Sequence, residues 1–378
     1  MNRRTFLKSS AIAVGAVPLL RPRPSIGGRD DLVDGAIGRL AREAELSMLF
    51  RGTTAEECRS WQGEFRSTLT RLLGRTTPPE HWTVEEESRR EFADHVRCEL
   101  LLKADQVASV PLYLLVPRDG QDGGRRPAVL CVHGHGAYGH HPVVGRTDFD
   151  APEVSKGVTE SIERANYDYG LQFVRRGYVV VAPCLIPFGR RLNRALYGET
   201  DPCATTFVRM QAVGELPIAA NLHDLRWCLD LLEARPEVDP YRIGCAGLSY
   251  GGRMTMLASA MDKRIKVAAV SGALNLLQER ITHRYSCGSQ IIPGLLKYGD
   301  YSEIGSLIAP RPCVWEVGST DALIVDEWDD TFRGRLERAY QALGVLSHLY
   351  FDQFVGGHRW SGRLAYPLFE RTLTGTIS

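Results

Sequence analysis

The sequence predicts an α/β fold: a mostly parallel eight-stranded sheet with helices on both faces and a helical segment leading into it. Two observations carry this. Short, continuous apolar runs recur after residue 95, and segments of helix length separate most of them. Strands that alternate with helices in this way build a parallel sheet covered on both sides. The length agrees, since 378 residues suit one large domain of this kind with additions.

The elements follow in chain order. Thr53 or Thr54 is placed to cap a helix, with Glu56 or Glu57 three residues on, as in a capping box. Trp61, Phe65, Leu69 and Leu72 then recur at spacings of 4, 4 and 3, which is one apolar helix face. Residues 29–94 are therefore expected to form an N-terminal helical extension packed on a main domain, 95–378. Within that domain, 96–102 and 110–116 read as an early hairpin. Residues 128–132 are apolar without interruption, as in a strand buried on both faces. Runs of the same type occupy 178–182, 242–246, 265–270, 313–317 and 348–351. Helices are expected near 160–176, 216–234, 250–261, 327–343 and 362–373. Two connections, 184–215 and 272–310, far exceed the roughly 12–15 residues of a plain loop. Both leave strand C-termini, where open α/β sheets bind ligands, so they are the expected pocket walls.

Composition narrows the function classes. Hydrophobic residues make up 44% and charged residues 24%, and 46 basic residues face 45 acidic ones. A net charge of +1 with interleaved signs lacks the clustered basic excess of a nucleic-acid binder, so no nucleic-acid partner is expected. Residues 1–28 read as a twin-arginine-type export signal with a linker. Arg3-Arg4-Thr5-Phe6-Leu7-Lys8 precedes an uncharged stretch from Ala11 to Leu20, too short to span a bilayer. The expectation is export to the periplasm or beyond, with the twin-arginine machinery as partner of the precursor. Nine cysteines leave at least one unpaired within the chain. Cys131, Cys245 and Cys313 sit in apolar runs and read as buried small hydrophobes. No cysteine or histidine spacing matches a zinc site, so no metal and no cofactor is expected. Cys184, Cys203 and Cys287 fall in the long connections, where an oxidising compartment allows a disulfide whose pairing the sequence leaves open.

Gly247-Leu248-Ser249-Tyr250-Gly251-Gly252 is the most informative hexapeptide. It matches Gly-x-Ser-x-Gly, an apolar strand runs into it, and a helical segment continues from it. Such a turn holds a nucleophilic serine exposed above the sheet, and its glycines let strand and helix approach closely. A serine hydroxyl needs a base, and the acid and histidine follow the serine in chain order in this arrangement. Asp321 lies in a turn just past strand 313–317, and His358 follows Gly356-Gly357 after the last strand. Ser249, Asp321 and His358 are the expected triad; Glu316, Asp326 and Asp352 are rival carboxylates. The oxyanion donors are expected from the backbone N–H of Tyr250 and of His135, with Gly136 as second choice, in the loop His133-Gly134-His135-Gly136. His223 beside Asp224 reads as structural, and His140 and His141 as a solvated or pocket-rim pair.

These stretches, with Gly177–Pro183, Ile308-Ala309-Pro310-Arg311-Pro312 and Gly356-Gly357-His358-Arg359-Trp360, resemble the α/β-hydrolase superfamily over roughly 95–375. More narrowly they resemble its bacterial acetyl-xylan-esterase-like and dienelactone-hydrolase-like branch. The resemblance implies the α/β-hydrolase fold and metal-free hydrolysis of carboxylic esters, often acetylated sugars. Dienelactone hydrolases use a cysteine where this chain has Ser249, which weakens a lactone reading. The expected partner is therefore a small-molecule or carbohydrate ester. A prolyl-oligopeptidase-type peptidase shares the triad order, but the roughly 90 residues before the sheet are too few for its propeller. A silent binding protein on the same scaffold is the other alternative. Arg190, Arg191, Arg280 and Arg284 lie in the long connections and are candidates to hold a substrate carboxylate or sugar hydroxyls.

Overall fold

The computed structural model describes residues 32–118, 124–198, 200–283, 286–324 and 326–375. The expected export signal, 1–28, and Arg284 lie outside the described residues. The strands are β1 (Thr83–Glu91), β2 (His95–Lys103), β3 (Val110–Pro117), β4 (Arg126–Val132), β5 (Val179–Pro183), β6 (Val238–Leu248), β7 (Ile265–Ser271), β8 (Cys313–Gly318) and β9 (Leu349–Phe354). They form one sheet in the order β1-β2-β3-β5-β4-β6-β7-β8-β9. Pairings are antiparallel from β1 through β3 to β5, and parallel from β5 through β4 to β9.

The helices before β4 are α1 (Val33–Arg42) and α2 (Ala55–Leu73). Between β4 and β6 lie α3 (Pro152–Ala165), α4 (Tyr169–Val174), α5 (Arg194–Tyr197), α6 (Pro202–Gln211) and α7 (Pro217–Ala234). Then come α8 (Tyr250–Met261), α9 (Leu277–His283), α10 (Tyr301–Ser306), α11 (Asp326–Ala342) and α12 (Ala365–Leu373). Two apolar layers follow from the alternation of side chains along the central strands. Ala128, Leu130 and Val132 of β4 join α2, α7 and α8 on one face; Val129 and Cys131 join α4 and α12 on the other.

Thr54 caps α2, and the capping box with Glu57 is complete. Trp61, Phe65 and Leu69 of α2 are buried, each burial contributing on the order of 1.5–3 kcal/mol. Gln62 between them donates to the carbonyls of Ser306 and Ala309, which ties α2 to the main domain.

The sequence expectation fails at β1. Residues 83–91 lie inside the segment expected to be helical, yet they form a ninth strand on the edge of the sheet. All nine residues are exposed, so no apolar alternation announces the strand. Backbone pairing to β2 holds it, with cross-strand contacts such as Lys103 to Glu85 and Ser88 to Glu99. Its charges suit an edge that must not recruit another chain.

Chain order reverses around β4, which lies between β5 and β6. Ligands bind at such switch points, outside the C-terminal strand ends. Val132, the last residue of β4, is the register partner of Gly247. The His133–Gly136 loop and the Ser249 turn therefore leave the sheet side by side.

Candidate active site

Ser249 sits between β6 and α8 with φ 64° and ψ −123°, a left-handed conformation that costs a non-glycine residue on the order of 1–3 kcal/mol. Neighbouring structure holds it there: its N–H donates to the carbonyl of Ser271 at 2.8 Å. A Cβ on Gly251 would lie 1.9 Å from the carbonyl oxygen of Val132, so only glycine allows α8 to start this close to β4. The result is a half-buried hydroxyl at the start of a twelve-residue helix, where developing negative charge is favoured.

His358 arrives from the loop after β9. Its Nδ1 lies 2.8 Å from Oδ2 of Asp321, whose other oxygen accepts the N–H of Leu323 at 2.9 Å. The Asp321 side chain is 1% exposed, so this bond is shielded from water. The imidazole packs on Gly272, where a Cβ would come within 2.6 Å of its Cε1. Gly272 follows Ser271, whose carbonyl holds Ser249, so ring and serine share one corner of the sheet edge. His358 Nε2 is shielded and makes no hydrogen bond among the described residues. Apo sites often leave such a contact to be completed by substrate.

Two of the rival carboxylates do other work; the side chain of the third, Asp326, lies outside the described part of the structure. Glu316 on β8 accepts the N–H groups of Gly362 and Ser361 at 2.8 and 3.2 Å; burial pushes its carboxyl up to about 7. Buried Asp352 pairs with Arg363 and accepts from Ser361 Oγ. Both therefore anchor the segment just after His358.

The oxyanion-loop candidates are also placed. The amide of Gly134 donates to Tyr167 Oη at 2.6 Å. A Cβ on Gly134 would lie 2.8 Å from the Ser249 Cβ, so the residue before His135 abuts the serine. Tyr250 is the first residue of α8, so its N–H has no intrahelical acceptor. His133 is buried and pins this loop: its Nδ1 contacts Gly134 O at 2.7 Å and its Nε2 accepts from Leu185 N–H at 2.8 Å. Burial lowers it to about 4, so it remains a neutral structural residue.

His140 and His141 depart from expectation. They stack on each other and pack against the ring of Tyr113 of β3, His140 tilted and His141 edge-on, and His140 is buried. Burial lowers both, His141 to about 3, with Arg146 also disfavouring charge there. The polar pair reads as surface in the sequence because the ring of Tyr113, its partner, lies far upstream.

The sequence reading missed the junction around the Tyr250 side chain. Tyr250 Oη accepts from Asn221 Nδ2 at 2.8 Å and donates to the carbonyl of Ser289 at 3.0 Å. Asn221 also bonds both backbone groups of Ile186. One hydroxyl thus links the serine turn to both long connections. Arg253 of α8 was missed as well: it is buried, lies 3.5 Å from the Tyr301 ring centroid and donates to Asn275.

The arginine candidates separate. Arg191 is drawn into a buried pair with Asp224, which removes it as a substrate ligand. Arg190 pairs with Glu87 of β1. Arg280 lies on α9.

All nine cysteines are free. Cys184 is taken by the carbonyl of Phe188, while Cys203 and Cys287 meet each other and His135. The Cys203 thiol donates toward Cys287, which lowers Cys287 and raises Cys203.

No protein-family model matches the chain. In structure it is similar to a Bacteroides fragilis NCTC 9343 protein provisionally named an acetyl xylan esterase. The TM-score is 0.72 at 18% identity, covering 88% of this chain and 84% of the other. The chain has the α/β-hydrolase fold. The glucuronoyl esterase from Solibacter usitatus is also similar, with TM-score 0.59, 16% identity, and 81% and 90% of the two chains covered. In sequence the chain is 29% identical to YtaP of Bacillus subtilis (strain 168), which carries a provisional hydrolase name. That match spans 310 residues, 79% of this chain and 94% of YtaP.

Proposed function

We propose that the chain is a serine esterase that hydrolyses carboxylic esters through an acyl-enzyme, with carbohydrate esters as its substrate class. The observation that carries this is the strained Ser249 turn beside a histidine whose Nδ1 is bonded to buried Asp321 and whose Nε2 is unpartnered among the described residues. In this reading Nε2 takes the Ser249 proton as Oγ bonds to the ester carbonyl carbon. The oxyanion that forms is held by the amides of Tyr250 and His135, each such donor supporting about 10²–10³ in turnover. His358 returns the proton to the leaving alkoxide, the C–O bond breaks, and an acyl-Ser249 remains. Water, deprotonated by the same Nε2, then releases the acid and restores the serine. Asp321 holds the ring in the tautomer that leaves Nε2 free and stabilises the imidazolium.

The substrate class draws support from the similar structures, which are named as carbohydrate esterases. Export of the precursor through its Arg3-Arg4 leader belongs to the same proposal and would be read by fractionating cells. The test is turnover of short-chain nitrophenyl esters, sugar acetates and a methyl glucuronate ester by the purified chain. We expect acetyl esters to turn over and Ser249→Ala to be inactive. Unchanged turnover in Ser249→Ala, or none in the parent chain, overturns the proposal.

A further inference from the structure

We infer that His135, Cys203 and Cys287 form a binding site for Zn2+ at the edge of the candidate active site. One nitrogen and two sulfurs from these side chains all lie within 4.8 Å of one another. Among the described residues it is the one such group of three. Tetrahedral zinc with Zn–S near 2.3 Å and Zn–N near 2.0–2.1 Å spaces its ligands roughly 3.5–3.8 Å apart. The side chains therefore need only close inward.

The three ligands come from three segments: the loop after β4, the first turn of α6, and the residue before Gly288. No sequence spacing could announce them. The two cysteine segments are held close, since a Cβ on Gly288 would lie 3.1 Å from the carbonyl of Cys203 and 2.7 Å from Phe207 Cβ. Cys203 is buried, Cys287 half-buried and His135 exposed, which gives a sulfur-lined base with an open imidazole side for entry. Two thiolates and an imidazole select a thiophilic cation over Mg2+ or Ca2+. Binding replaces two S–H bonds by two S–Zn bonds and releases two protons, without oxidant or reductant.

The consequence for catalysis rests on the esterase reading above; the binding does not. A metal on the His135 ring would hold the residue whose amide we assign to the oxyanion. It would also clamp α6 and the segment after α9 to that loop, and so set the pocket's opening.

The test uses the full chain, reduced and stripped of metal, titrated with Co2+ as a spectroscopic probe. We expect one Co2+ per chain, with a thiolate-to-cobalt charge-transfer band that stoichiometric Zn2+ abolishes. Cys203→Ser and Cys287→Ser should each lower affinity at least 100-fold. The solvent-side change His135→Ala should weaken it without unfolding the chain, while His81→Ala, at an exposed histidine elsewhere, leaves it unchanged. Absence of the band in the reduced chain overturns the inference, as does a band that survives both cysteine changes. So does a Cys203–Cys287 disulfide in a protein whose reduced form binds no ion. Metal binding by a chain that hydrolyses no ester would leave this site standing while removing the proposed function.

Discussion

Asp321→Asn is the substitution that tests the proposed chemistry most directly. In the parent, one carboxylate oxygen accepts the Leu323 N–H at 2.9 Å and the other faces His358 Nδ1 at 2.8 Å. The variant's amide has two orientations. With its oxygen toward Leu323, its NH2 faces Nδ1 and forces that nitrogen to accept, so the ring proton moves to Nε2 and the base is lost. The flipped orientation restores the tautomer but opposes two donors and leaves a shielded N–H unpaired, which costs about 1–3 kcal/mol. That difference favours the wrong tautomer by about 5–150-fold. Loss of the carboxylate charge beside the imidazolium lowers the rate further, so kcat should fall in all by about 10³–10⁴ with KM little changed. Steady-state kinetics on an aryl acetate measure this, with circular dichroism to verify the fold. A variant within tenfold of the parent kcat would refute the assignment of Asp321.

Tyr250→Phe removes the acceptor of one Asn221 Nδ2–H, whose other N–H stays on the Ile186 carbonyl, and the donor to the carbonyl of Ser289. Each should cost about 1–3 kcal/mol, seen as a lower Tm together with a raised KM as the pocket walls loosen. Gly251→Ala would drive a Cβ to 1.9 Å from a backbone oxygen. Its destabilisation in urea should exceed the roughly 1–3 kcal/mol of ordinary overpacking, with activity lost. Protons should also unfold the protein through its buried histidines. His133 is lowered to about 4 and His141 to about 3, from an unfolded value near 6.5. A depressed histidine takes up protons on unfolding, so stability is present above pH 6.5 and is lost as pH falls toward 4. Glu316, raised to about 7, acts with the opposite sign between its unfolded value and 7, and offsets part of this. Tm measured at pH 4.5, 5.5 and 6.5 should rise with pH, and His141→Gln should flatten that rise.

What the sequence makes legible depends on whether a feature is local. The strand, turn and helix around Ser249 are contiguous, and so are the turn of Asp321 and the glycines before His358. Strands β3 to β8 are legible because their buried stretches leave continuous apolar runs, and the partly buried β2 and β9 are legible from shorter ones. Strand β1 is held by backbone pairing and charge alone, and its composition resembles any solvated segment. The burial of His140 against Tyr113, the Arg191–Asp224 pair and the Tyr250–Asn221–Ser289 junction each join residues far apart in the chain. Only the fold supplies those partners, as it does for Cys203, Cys287 and His135.

The charged border strand has a consequence for where this protein can be divided. A cut at residue 95 looks natural from the change in hydrophobic pattern, yet it would strip β2 of its neighbour. It would leave a row of bare amides and carbonyls along β2, open to pairing with any passing chain. The stretch of acids and bases ahead of it is therefore a guard against self-association, and any shortened version that keeps the molecule solitary has to begin upstream of Thr83.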